Sequence, residues 1–376
     1  MIIEARAAEH SILHKDPSAY CAHPQIIVAA NGDWLTVFNE APRRSFVLHP
    51  PEDPEFRNVI IRSRDRGTSW STPQAAPSGG YLGTECAALT PLQDGSIMLH
   101  QWQFTWHPLA VARTLPDQTN LTYPDRFMRG WLDSPEHETS AYRTVALEEL
   151  VRWVRGPGRT FAHFSDDHAA SFTRTVQIDT APFSGGYGMR RALQLPNGQI
   201  ILPLSDVPHY RSVFTVTSRD SGCTWGKPRL VAQQPASEFE EPAILRTTSG
   251  KIIMVLRDNG TRRLHQVDSR DDGATWSAPR MLAIEGYPAD LLDLGGDGLL
   301  MTYGWRLPDF GIRAVRSHDE GQTWRTKEVI RIRGGLPGRN LGYPVTIAAG
   351  DGSLFTVYYG EDTDGVTCIM ATRWQL

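Results

Sequence analysis

The chain has 376 residues, 40% of them hydrophobic and 21% charged, and its net charge is −4. This is an ordinary globular composition, and it gives no electrostatic case for nucleic acid or an anionic membrane surface as partner. No apolar run reaches the ~20 residues of a membrane span, and Met1–Leu13 carries acids where a signal peptide needs an apolar core, so a cytoplasmic location is expected.

Taken in order, the chain opens on an extended stretch, Met1–Ala8, expected to add an outer strand to the last structural unit. An apolar run then breaks at Asn31-Gly32-Asp33, and matching breaks recur at Asp94-Gly95, Asn197-Gly198, Ser249-Gly250, Asp297-Gly298 and Asp351-Gly352. Asn-Gly and Asp-Gly between apolar runs are strong hairpin signals. A second landmark is S-x-D-x-G-x-T/S-W, found at Ser63–Trp70, Ser218–Trp225, Ser269–Trp276 and Ser317–Trp324, with a worn copy at Ser165–Phe172. The Asp can accept backbone N–H bonds, the Gly permits a positive φ, and the aromatic offers a large apolar face. Each unit therefore reads as strand, tight turn, strand, variable loop, strand, box, strand.

Box-ending aromatics and Trp374 fall at intervals of 102, 53, 51, 48 and 50 residues. The doubled first interval is one unit plus an insertion near residues 107–158, so six units are counted. Within the insertion, Val145, Leu147, Leu150, Val151 and Val154 fit an amphipathic helix over Tyr142–Arg155, stopped by Gly156-Pro157-Gly158. Loops of that length are lids, binding loops or packing elements. The four cysteines, Cys21, Cys86, Cys223 and Cys368, show no CxxC spacing, so no metal is expected, and Cys223 is expected as a free thiol.

These copies resemble the Asp-box, or bacterial neuraminidase, repeats of the sialidase superfamily. The resemblance spans nearly the whole chain apart from the insertion. It implies one all-β domain over residues 1–376, a six-bladed β-propeller with Asp boxes and a helical or loop insertion in blade two. Antiparallel alternation places inner-strand starts and second-strand ends on the face opposite the boxes, where propellers bind ligands. That reasoning selects His23, Glu85, Arg190, Glu241, Asp290 and Tyr343 from strand starts, and Arg44, His209, Arg257, Trp305 and Arg306 from strand ends.

By resemblance, Glu241-Pro242 followed by Arg257 matches the sialidase glutamate and second clamp arginine, and Tyr343 matches the nucleophile. A phenol ordinarily titrates near ~10, so it needs such a carboxylate to take its proton as it attacks. Arg306 or Arg313 is a candidate for the third arginine, and Asp53 or Glu85 for the acid/base. The first clamp arginine is replaced by Ala22-His23, which argues against a true sialidase. The expected function is an exo-glycoside hydrolase acting on an acidic or modified sugar, with a carbohydrate partner, no cofactor and the oligomeric state open. Two alternatives stand beside it: a uronate lyase using Tyr343 with His23 or His209, and a non-catalytic glycan-binding propeller.

Overall fold

The computed structural model describes residues 1–43, 53–78, 82–84, 87–123 and 152–376. Its strands form six sheets of four or five strands. In the first blade Ala19–Val28, Trp34–Pro42, Arg57–Ser63 and Gln74–Ala75 pair in sequence order, all antiparallel. The fourth blade repeats the plan with Phe239–Arg246, Ile252–Asp258, Arg263–Ser269 and Arg280–Met281. Inner strands of successive blades pack against one another, and the strand at Gly342–Ala348 packs against Ala19–Val28 to complete the ring. The fold is the six-bladed all-β propeller that the repeat spacing implies.

Local chemistry explains the blades. At Asn197-Gly198 the glycine takes φ +85°, Gly198 N donates to Leu195 O at 2.9 Å and Leu195 N to Gln199 O at 2.8 Å, which turns the chain back on itself. In the box at Ser218–Trp225, Ser218 Oγ donates to Asp220 Oδ1 at 2.8 Å and accepts from Gly222 N at 2.9 Å. Thr224 N donates to the same Oδ1 at 2.9 Å, and Thr224 Oγ1 to Oδ2 at 2.5 Å. Gly222 is needed twice over: its φ is +77°, and a Cβ there would lie 2.2 Å from the Phe164 ring of the preceding blade.

The box aromatics wedge between blades. Trp225 packs on a cluster shared by blades two and three, with Phe164, Leu202 and Phe214 at its heart. Trp276 does the same with Ile201 and Val267 for blades three and four. Trp324 adds a hydrogen bond, Nε1 donating to Gln266 Oε1 of blade four at 2.8 Å. Cys21, Cys223 and Cys368 are free thiols, and Cys86 lies outside the described residues.

Two expectations need correction. The outer strand of the sixth blade is Arg6–His14, antiparallel to Thr367–Gln375, rather than Met1–Ala8. Ile2–Glu4 instead joins the fifth blade, parallel to Val329–Arg333, so the N-terminus straddles two blades. An ion pair from Arg331 to Glu4 holds the shorter strand there.

The helix expected over Tyr142–Arg155 lies mostly outside the described residues, but its end is strand, because Trp153–Ser165 pairs with Ile97–Pro108 along its whole length. Val154 packs with Leu109, Ala112, Leu121 and Tyr123 in a small satellite cluster, which satisfies its apolar side without a helix. The Gly156-Pro157-Gly158 stop is a bulge in that ladder, and a Cβ on Gly158 would sit 2.4 Å from Trp102 Nε1. The one described helical turn of the insertion is Leu109–Ala112.

Two tests follow from this architecture. The box carboxylates of Asp65, Asp167, Asp220 and Asp271 are held down from an ordinary 3.8 to about 2, first by the Ser or Thr hydroxyl four residues on. A folded-state pKa below the unfolded one means that ionised Asp220 stabilises the fold above about pH 4, and that this is lost as pH falls towards 2. Thermal melts between pH 2 and 6 should therefore show a shallower acid decline for Asp220→Asn than for the parent, with a lower melting temperature near neutrality. Deleting residues 1–14 should lower the melting temperature further than any single box substitution, because it strips the outer strand of blade six along its length.

Candidate active site

Three inner strands carry the same local device. His23, Glu241 and Tyr343 each precede a proline, and their φ values are +53°, +54° and +55°. The ladders shift register across each of them, between Ala22 and Gln25, Glu240 and Ala243, and Gly342 and Val345. Proline cannot donate to a ladder, and a residue before proline is pushed out of the right-handed helical region. A bulge with positive φ re-aims the side chain, and a bulky residue holds that conformation only where its surroundings impose it.

The three re-aimed side chains meet. Tyr343 Oη donates to Glu241 Oε1 at 2.6 Å. Arg257, at the end of the second strand of the same blade as Glu241, donates from Nη1 to Glu241 Oε2 at 2.8 Å and to Tyr343 Oη at 3.3 Å. The His23 ring lies 4.2 Å from the Tyr343 ring, and its Nδ1 is 3.0 Å from Asn39 Nδ2. Glu241 is 3% exposed and Tyr343 3% exposed, so the couple is almost dry.

Arginines surround this centre. Arg306 donates to Leu341 O at 3.0 Å and Tyr359 Oη at 3.3 Å, both neutral acceptors. Its guanidinium lies over the rings of Tyr287 at 5.7 Å and Tyr343 at 5.8 Å. Arg190 is buried and donates to Ala289 O at 2.9 Å and Pro344 O at 3.3 Å. Burial pushes the His23 pKa well below its ordinary value, and Arg306, Arg257, Arg190 and Arg155 push the same way, so the imidazole is neutral at pH 7. Burial works against the Arg257 charge, but Glu241 and Glu240 outweigh it and raise its pKa.

A second tyrosine–carboxyl pair stands beside the first. Tyr187 Oη donates to Glu240 Oε2 at 3.0 Å, Asn259 Nδ2 bonds Glu240 Oε1, and Arg257 Nε donates to Asn259 Oδ1 at 2.8 Å. Burial raises the Glu240 carboxyl, against the pull of Arg257. Arg257 thus bridges two neighbouring carboxyls of unlike environment.

The remaining candidates fall elsewhere. Asp290 is buried and accepts from Thr346 N at 3.2 Å, which braces blade five to blade six. Trp305 lies under the Arg313 guanidinium at 3.6 Å, and Arg313 faces Asp309 at 3.8 Å, so Arg313 belongs to that edge rather than to the centre. His209 is exposed. Asp53 is buried in the loop before Arg57–Ser63 and accepts from Glu55 N at 2.9 Å. Glu85 and Arg44 lie outside the described residues.

Sequence reasoning missed Arg155, Asn39, Asn259 and Tyr287. Arg155 was hidden by the helix reading. The recurring residue-plus-proline at His23-Pro24, Glu241-Pro242, Tyr287-Pro288 and Tyr343-Pro344 was the available signal for the bulges.

Comparison with known proteins bears on the fold. A sequence search of the curated proteins gives no match. Among solved structures, a Dyadobacter fermentans protein of unknown function superposes with TM-score 0.80 at 20% identity, over 99% of this chain and 98% of its own. The Hadza microbial sialidase Hz136 gives 0.65 at 15% identity, over 95% of this chain and 66% of that one. The intramolecular trans-sialidase of Ruminococcus gnavus, solved in complex with oseltamivir carboxylate, gives 0.67 at 12% identity, over 97% of this chain and 96% of that one. Identities this low establish the shared propeller and no more. The model of the BNR repeat-like domain matches residues 149–356, which is more than half the chain. With that match, its boxes and its six blades, the chain belongs to the BNR repeat-like domain family.

Proposed function

We propose that this protein is a glycoside hydrolase that attacks an acidic or modified sugar through Tyr343. The observation that carries the reading is the 2.6 Å hydrogen bond from Tyr343 Oη to Glu241 Oε1, in a nearly dry site with Arg257 2.8 Å from the other carboxylate oxygen. Glu241 takes the phenolic proton as Oη bonds to the anomeric carbon, and the glycosidic oxygen departs with a proton from an acid. Asp53 and Glu85 are the acid candidates. Water then releases the sugar from tyrosine.

An anionic group on the sugar is supported by the arginines. The Arg257 charge is matched by Glu241, whereas the bonds of Arg306 go to neutral oxygens, which leaves its charge to meet a substrate anion. His23 stands where a sialidase has its first clamp arginine, and a neutral imidazole cannot hold a carboxylate as a guanidinium does.

One observation favours a second reaction on the same residues. The 4.2 Å approach of a neutral His23 to Tyr343 suits β-elimination from a uronic acid. His23 would take the proton beside the carboxylate and Tyr343 would protonate the leaving oxygen, leaving a carbon–carbon double bond in the sugar.

Tyr343→Phe should reduce turnover by about 10²–10⁴-fold, with a melting temperature close to the parent's. Activity surviving in a destabilised variant would instead mark the couple as a brace between blades four and six. Asp53→Asn, assayed beside it on substrates with good and poor leaving groups, should slow only the poor ones if Asp53 is the acid.

A panel of chromogenic glycosides and uronic-acid oligosaccharides separates the two chemistries. Hydrolysis gives a new reducing end without ultraviolet absorbance, and elimination gives an unsaturated product that absorbs. A standard sialoside should be cleaved poorly at neutral pH, and rapid cleavage would mean that another arginine completes the clamp.

A further inference from the structure

Away from the channel mouth, the described residues hold one grouping of histidine, cysteine and carboxylate donors, His14, Cys21 and Glu40, with ligand atoms all within 4.8 Å of one another. Three strands supply them. His14 ends Arg6–His14, the outer strand of blade six, while Cys21 lies on Ala19–Val28 and Glu40 on Trp34–Pro42, both of blade one. Cys21 and Glu40 are ladder partners. The grouping therefore spans the seam where the ring closes.

The spacing of the three donors would admit a cation. Arg57 occupies one oxygen of Glu40, Oε1, at 2.6 Å from Nη2 and 3.2 Å from Nε. The other oxygen, Oε2, lies 3.7 Å from His14 Nε2. That separation is too long for a hydrogen bond, and it is close to the ~3.4 Å edge of a tetrahedron with metal bonds of ~2.1 Å. His14 Nε2 is shielded from solvent and has no hydrogen-bond partner among the described residues, although buried polar atoms are as a rule paired. Cys21 is a free and fully buried thiol beside them.

We propose that His14, Cys21 and Glu40 bind a divalent cation of the zinc class and that this ion clips the N-terminal strand to the first blade. One nitrogen, one sulfur and one oxygen donor suit zinc, whereas magnesium and calcium take oxygen. On binding, the Cys21 thiol proton leaves to solvent and the thiolate coordinates, and water takes the fourth corner. The absence of CxxC spacing hides such a site from the sequence, because its ligands lie on separate strands. Cys21 stands two residues before His23 on one strand, so the clip also stiffens the start of the strand that carries His23.

The test uses the full, untagged chain, stripped with a chelator and titrated with Zn²⁺ alone by calorimetry, and with Co²⁺ by absorption. Expected are one ion per chain, a thiolate-to-cobalt charge-transfer band and a higher melting temperature with zinc. His14→Gln and Cys21→Ser should each weaken binding at least about tenfold and abolish the melting shift. If Cys21→Ser fails to fold, His14→Gln, at a partly exposed position, decides alone. No stoichiometric zinc binding by the parent, or undiminished binding by His14→Gln, overturns the proposal.

Discussion

A ring of sheets holds only if its two ends meet. Here the seam is made by Arg6–His14 lying against Thr367–Gln375, an association of the two ends of the chain. Bringing such distant segments together is entropically unfavourable, and the closure is offset by the ladder between them, by Cys21 N donating to Thr367 Oγ1 at 3.2 Å and by Arg6 donating to Leu376 O at 3.2 Å. The candidate site depends on that seam directly. His23 belongs to blade one and Tyr343 to blade six, so their 4.2 Å ring contact exists only in the closed ring.

Electrostatics at the channel mouth is a matter of unequal partners. Buried charges are tolerated when paired and hydrogen-bonded. Arg257 meets both conditions through Glu241, Asn259 and the nearby Glu240. Arg306 is held by neutral oxygens and aromatic faces, which fix its position without neutralising it. Burial, joined by the same positive field, drives protons off His23, so this residue contributes shape and an imidazole nitrogen rather than charge.

The fold was legible because the Asp box writes its hydrogen bonds within eight consecutive residues, from Ser218 to Trp225 for example, so that each copy announces its own turn. Glu241, Arg257 and Tyr343 were legible through resemblance, and the alternation of strands put them on one face. Arg155 was not. Val145 to Val154 has helical spacing, and Gly156-Pro157-Gly158 is as good a helix stop as it is a bulge. Only the partner strand Ile97–Pro108 decides between the two, and that pairing is a tertiary fact. The N-terminal strand was misplaced for a related reason: an edge strand has no box, and the parallel partner of Ile2–Glu4 lies more than 300 residues away, at Val329–Arg331.

The bulges at His23, Glu241 and Tyr343 connect fold to chemistry. A non-glycine residue at positive φ costs about 1–3 kcal/mol, and three of them in one site need support that a single blade does not give. That support comes from neighbours. Glu241 N donates to Ser205 Oγ of blade three at 2.8 Å, and the carbonyl of Pro344 accepts from Arg190, also of blade three, at 3.3 Å. Arg190 reaches blade five as well, through Ala289 O at 2.9 Å. Each strained residue is thus held by hydrogen bonds or ring contacts that cross a blade boundary. The geometry of the Tyr343–Glu241 couple is then a property of the ring rather than of any one strand.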